Sequence, residues 1–168
     1  MSLIVIDTQI LIWAVKREAT AGQEPMIEKA ARYLEYLDRC KDKIIIPSVV
    51  VSEFLANVPE EGEAAVLQTL SERFMIMPFD TLAAVNAARV WRKNSEGNPS
   101  ITQQLKAEDV KKAKIKVDIQ IIGTALARKA VRITSHDEWL VKSAQGHIEA
   151  GPMPDLPTQP ELSLPRPS

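Results

Sequence analysis

Four short apolar runs divide this chain: Leu3–Ile6, Lys43–Ile46, Phe74–Met77 and Val131–Thr134. Each is too short for a helix and reads as a buried strand. The stretches between them carry apolar residues at helical spacing. Ile27, Ala30, Ala31, Leu34 and Leu37 make one such stripe, and Val50, Val51, Phe54 and Leu55 another. Val66, Leu67 and Leu70 follow, then Leu82, Val85, Ala88 and Val90. Parallel strands need long crossovers, and the helices that make them cover the sheet. The alternation therefore predicts a three-layer α/β/α domain, with a mostly parallel twisted sheet and right-handed crossovers.

Punctuation along the chain supports this division. Asp7 or Thr8 can cap the first helix, Pro25 suits a first helical turn, and Ser48 and Asp80 can cap later helices. The stretches "NVPEEGEA" and "NSEGNPS" read as loops, and "QQLKAEDVKKAKIK" as polar, Lys-rich and partly helical. Asp118 then opens a strongly apolar helix through Ile119, Ile121, Ile122, Ala125 and Leu126, and "SHDEWLVKSA" begins a short one. From Gly151 onward the chain holds six of its 11 prolines, which cannot sustain a helix or a central strand. The expected organisation is one domain over residues 1–150 and an extended or disordered proline-rich tail over 151–168.

Composition narrows the function classes. With 45% hydrophobic and 26% charged residues, the 168-residue chain has the balance of a soluble globular domain. A net charge of −1 advertises no global affinity for nucleic acid, although a local patch is compatible with it. The single cysteine, Cys40, rules out an internal disulfide and a Cys-cluster metal site, and fits a reducing cytoplasm. Two histidines, His136 and His147, are too few for a His-rich zinc site. No charged leader precedes an apolar core and no apolar run approaches a membrane span, so a cytoplasmic protein is expected.

The acids carry the chemistry. Asp7 directly follows the first strand, Glu53 lies early in the helix after the second, and Asp137 lies just beyond the last. In open parallel sheets, sites form outside the carboxyl ends of the strands. Asp118 joins this rim if its helix runs back antiparallel to the strand it feeds. Each acid alone is equally well a cap, a turn residue or part of a solvated face. Together they repel, and a stable cluster wants a cation. Oxygen-only ligands suit Mg²⁺ or Mn²⁺. Such a site polarises a phosphoryl group and activates water, which is hydrolytic phosphodiester chemistry without a side-chain nucleophile.

The stretches "VIDTQILIW", "IIIPSVVVSEFL" and "KVDIQIIGTALARKAVRITSHDEW" resemble the PIN domain family, and within it the single-domain bacterial ribonucleases of the VapC toxin type. Asp7 with Thr8, Ser52 with Glu53, and Asp118 with Ile122 match its motifs in order and spacing. The fourth acid departs from the pattern. One alignment places His136 there; sliding by one residue, with Ser135 as the hydroxyl, places Asp137, the better ligand for a hard cation. The resemblance implies a metal-dependent endoribonuclease. Asp7, Glu53, Asp118 and Asp137 would be the catalytic acids and ligands of Mg²⁺ or Mn²⁺. Thr8, Ser52, Thr134 and Ser135 would support them from behind. It also implies an RNA substrate, a small antitoxin that silences the site, and a homodimer.

Basic flanks would have to hold the RNA. Lys106, Lys111, Lys112, Lys114 and Lys116 precede Asp118, and Arg89, Arg92, Lys93, Arg128, Lys129 and Arg132 could extend the patch. A solvated Lys-rich loop is the plainer account of the first group. Trp13 and Trp139 flank site acids and serve either as core or as base-stacking residues. Two other functions compete. A PIN-like module could bind RNA or protein without cutting, although it would have no use for the mutual repulsion of the acids. A phosphatase using the first Asp as nucleophile would want a second Asp two residues on, where this chain has Gln9.

Overall fold

The computed structural model describes residues 1–157. Residues 158–168, which hold most of the expected tail, lie outside the described residues. Five strands form one sheet: β1 (Leu3–Ile6), β2 (Lys43–Pro47), β3 (Met75–Met77), β4 (Arg132–Thr134) and β5 (Glu149–Gly151). Their order is β3-β2-β1-β4-β5, and every pair is parallel. At the centre, Val5 of β1 stands opposite Ile45 of β2 and Ile133 of β4. All three are fully buried, as expected of strands covered on both faces.

After β1 comes α1 (Thr8–Leu11), which widens into a π-helical turn (Ile12–Lys16), and then α2 (Pro25–Arg39). The connection from β2 to β3 holds α3 (Ser48–Leu55) and α4 (Glu60–Arg73). The long return from β3 to β4 holds α5 (Thr81–Asn94), α6 (Ile101–Ala107) and α7 (Lys112–Ala127), and α8 (Glu138–Ala144) leads to β5. The chain winds outward from β1 through β2 to β3, then crosses back to β4 on the other side of β1. Right-handed crossovers place the connections before and after β3 on opposite faces. In keeping with this, α2 packs on β2 and the π-helical turn, while α7 packs on α5, α8 and the sheet. The reversal of strand order between β1 and β4 is where an open α/β sheet leaves a crevice.

Local differences from the sequence-based expectation have physical causes. Asp118 does not open its helix; α7 begins at Lys112. Lys112 and Lys116 face solvent while Ile115 and Asp118, three apart, face inward, so the polar stretch is largely one side of a first turn. Ser48 does not cap α3; its hydroxyl accepts from the Phe79 amide at 3.2 Å and ties α3 to the segment after β3. The acidic run expected as a loop supplies the first turn of α4, where Glu60, Glu61 and Glu63 meet the positive end of the helix. Asp80 caps α5 as expected, accepting from the Ala83 amide at 3.0 Å.

β5 is a strand the sequence did not announce, and it straddles the expected boundary at residue 150. Beyond it, Met153 is only 2% exposed and belongs to the core. Asp155 pairs with Lys29 of α2 at 2.6 Å, and Arg32 donates to the Pro157 carbonyl at 3.4 Å. The first residues after β5 thus run along α2.

Gly123 sets the seat of α7. A Cβ there would lie 2.6 Å from the Ala83 carbonyl oxygen and 2.8 Å from the Ala87 Cβ and backbone nitrogen. Backbone cannot give way cheaply, so Gly123→Ala should destabilise the fold by about 1–3 kcal/mol or more. Urea unfolding would show this as a lower midpoint at an unchanged slope.

Candidate active site

A cavity of about 430 Å³ opens at the carboxyl end of the sheet, and Asp7, Glu53, Asp118 and Asp137 all line it. Asp7 ends β1 and caps α1, its Oδ1 accepting from the Ile10 amide at 3.2 Å. Its Oδ2 accepts from the Ser135 hydroxyl. Ser135, just past β4, accepts in turn from the Asp137 amide at 3.0 Å. One hydroxyl therefore joins Asp7 to the turn that carries Asp137, across the β1–β4 crevice. Asp7 both caps a helix and lines the cavity; its two oxygens have different partners.

Burial governs the charges. Asp7 is 6% exposed, and desolvation raises its pKa against the opposing pull of the Ser135 hydroxyl and the Ile10 amide. Asp118 is 1% exposed, and burial lifts its pKa to about 6 despite the adjacent Lys114. Its Oδ2 is buried without a hydrogen-bond partner, a costly state for a carboxylate oxygen. Its Oδ1 pairs with the Lys114 ammonium, which also reaches Asp137 Oδ2 at 2.6 Å. Burial works against the charged form of Lys114, but the two carboxylates outweigh it and hold its pKa above the ordinary value.

Glu53 sits on an exposed turn of α3 and accepts from the Thr8 hydroxyl at 2.6 Å. Asp137 caps α8 with its Oδ1, accepting from the amides of Trp139 at 2.9 Å and Leu140 at 3.4 Å. His136 also lines the cavity, but its Nε2 accepts from the Met153 amide at 3.1 Å and its ring meets Trp13 edge-on. Burial, and secondarily Lys29, keep its pKa below the usual value. His136 thus fastens the chain after β5, while Asp137 shares a counterion with Asp118.

The other expected site residues are spread more widely. Thr134 is fully buried and bonded to the Tyr33 hydroxyl at 2.8 Å, away from the acids. Ser52 is exposed beside Glu53 and does not line the cavity. Lys111, Lys112 and Lys116 are exposed at the start of α7. Arg89, Arg92 and Lys93 surround a separate depression with His147, while Arg128 and Arg132 pair with Asp80 and Glu149. Trp13 is buried; Trp139 is 39% exposed. Lys114, expected only as one of several RNA-facing lysines, proves to be the centre of the acid cluster. Its position four residues before Asp118 was the available signal.

Residues 4–144 match the PIN domain. The chain belongs to the PIN domain family. The match ends with α8, so β5 and the segment packed on α2 extend past it. Several solved structures share the PIN fold seen here. VapBC2 from Rickettsia felis, bound to a DNA fragment from their promoter, is 14% identical with a TM-score of 0.59, covering 88% of this chain and 96% of that one. DNA-bound VapBC from Salmonella typhimurium is 17% identical with a TM-score of 0.56, covering 89% and 97%. VapBC-1 from nontypeable Haemophilus influenzae is 13% identical with a TM-score of 0.56, covering 90% and 98%. At such identities the likeness is one of fold. No curated protein matches the chain.

Among the described residues of this PIN domain, no three His, Cys, Asp or Glu side chains converge closely enough to cage an ion by themselves. Mg²⁺ does not require that; it commonly keeps several waters and takes only one or two carboxylates. The donors are all oxygens, and the unpartnered Asp118 Oδ2 is suited to a hard cation or to a water bound to one.

The raised pKa of Asp118 has a stability consequence. Between about pH 4 and pH 6 the folded protein holds a proton that the unfolded chain has released, so stability falls as pH rises through this window. Asp118→Asn cannot ionise there. In EDTA above pH 7 it should be more stable than the native chain by roughly 1–3 kcal/mol, with the difference closing toward pH 4. Thermal melts across this pH range would check it.

Proposed function

We infer that this PIN domain is a divalent-metal-dependent endoribonuclease of the VapC toxin type. The carrying observation is that four carboxylates from separate parts of the chain line one cavity at the strand-order reversal, with one buried carboxylate oxygen left unpartnered. Asp7, Glu53, Asp118 and Asp137 would hold Mg²⁺ or Mn²⁺, directly or through water. When bound, the ion supplies polarisation of the phosphoryl group and activation of water.

The chain's own residues prepare the site. Ser135 fixes the Asp7 carboxylate and Thr8 fixes that of Glu53. Thr134 anchors Tyr33 instead, and Ser52 makes no approach to the cavity. Lys111, Lys112 and Lys116 stand exposed where α7 enters the rim, suited to phosphates on either side of the bond to be cut. Trp139, exposed on the first turn of α8, offers a face on which a base can stack. The VapBC neighbours support an antitoxin as partner. The proposal has this small protein cover the acid groove and the chain act as a homodimer in the cytoplasm.

The purified chain should cleave RNA in Mn²⁺, and EDTA should abolish this. Asp7→Asn and Asp118→Asn should each lower cleavage by roughly 100-fold or more. Cleavage that survives EDTA or both substitutions would falsify the mechanism. Metal-independent RNA binding with no cleavage of structured or unstructured RNA would instead select the non-cutting module.

Replacing Lys111 and Lys112 together with Ala should flatten the salt dependence of single-stranded RNA binding. The loss is about 1.4 in log–log slope if both contact phosphate. Filter binding across a salt series measures it, and an unchanged slope would place these lysines away from RNA.

A further inference from the structure

Among the described residues, Lys114 is the one lysine or arginine that lines the acid cavity. Its ammonium bridges carboxylates from two elements: Asp118 within α7, and Asp137 at the cap of α8. These are the oxygens a hard cation would seek. An ammonium and a divalent ion on the same two carboxylates repel at close range, so an ion arriving at the open Asp118 Oδ2 weakens the hold on Lys114. Lys114 is the third residue of α7, its side chain is 31% exposed, and its flexible stem ends in a compact charge. It can therefore leave the carboxylates without disturbing the helix.

We propose that Lys114 is the resident counterion of this site: it neutralises Asp118 and Asp137 in the metal-free protein, is displaced when a divalent ion binds, and then contacts the RNA phosphate. The inference rests on the metal-dependent reading given above and adds a defined exchange of cations to it. It also assigns the substrate-facing charge inside the cavity to one residue. The lysines at 111, 112 and 116 serve the flanks. A purely structural ion pair would stay closed when the ion arrived.

The test uses Mg²⁺ alone as the probe, without RNA. By calorimetry, Lys114→Met should bind Mg²⁺ about tenfold more tightly than the native chain, because no internal cation has to be moved. In the native chain, the Lys114 ammonium signal in NMR should shift toward that of a solvated lysine, with the same midpoint as Mg²⁺ binding. This second measurement needs no variant that must fold. At saturating Mg²⁺, Lys114→Met should cut RNA at least tenfold more slowly despite its tighter ion. Equal or weaker Mg²⁺ binding by the variant, or a native Lys114 signal that ignores saturating Mg²⁺, overturns the exchange. Undiminished cleavage overturns the phosphate contact. If Mg²⁺ binds native and variant equally, only this inference fails; if neither Mg²⁺ nor, in a parallel titration, Mn²⁺ binds either protein, the metal-dependent function fails with it.

Discussion

The hydrogen bond from Ser135 to Asp7 crosses the line where the strand order of the sheet reverses. Asp7 belongs to the end of β1 and Ser135 to the end of β4, so the bond exists only when the two strands pair in parallel and in register, Ile6 beside Thr134. The same hydroxyl holds the turn that places Asp137, and the other Asp7 oxygen starts α1. Strand pairing, helix initiation and acid placement are thus coupled through two side chains. A buried carboxylate tolerates such a position because hydrogen bonds replace part of its lost solvation.

Asp118 is the opposite case. Its burial comes without full compensation, and the remaining deficit is expressed as a raised proton affinity and an unpartnered oxygen. A fold under selection for stability alone would fill this place with an apolar residue, since even a paired buried charge is often worth less than well-packed apolar side chains. The deficit is local and lies on the cavity wall. Ile115, Ile119 and Ile122 around it on α7 are buried and apolar, so the rest of the helix is an ordinary core element.

Much of this architecture was legible from short patterns. The four apolar runs became strands, and the acids stationed after them line a common rim, because strand ends and helix starts are local features that a sequence displays openly. What stayed hidden depends on partners distant in sequence. Glu149–Gly151 is a strand because β4 offers it an edge; its three residues carry a charge and a glycine and little β-propensity of their own. Ser48 looked like a cap, but the Phe79 amide claims its hydroxyl. The lysines before Asp118 looked alike, and only the helical phase of α7 turns Lys114 inward while its neighbours stay in solvent.

Gly123 gives this last point wider reach. It lies on the same helix as Asp118 and Lys114, pressed against the backbone of α5 at Ala83 and Ala87 with no room for a side chain. The small residues at that crossing act as a ruler for α7, setting how far the helix slides along the sheet before it stops. A substitution on α5 that thickens the crossing would shift the carboxylate and its lysine together by the same amount, leaving their pairing whole but moving both relative to Asp7. The accuracy of the acid rim is therefore set in part by alanines on a neighbouring helix, so natural variation at those two positions would retune the site without altering a residue that lines it.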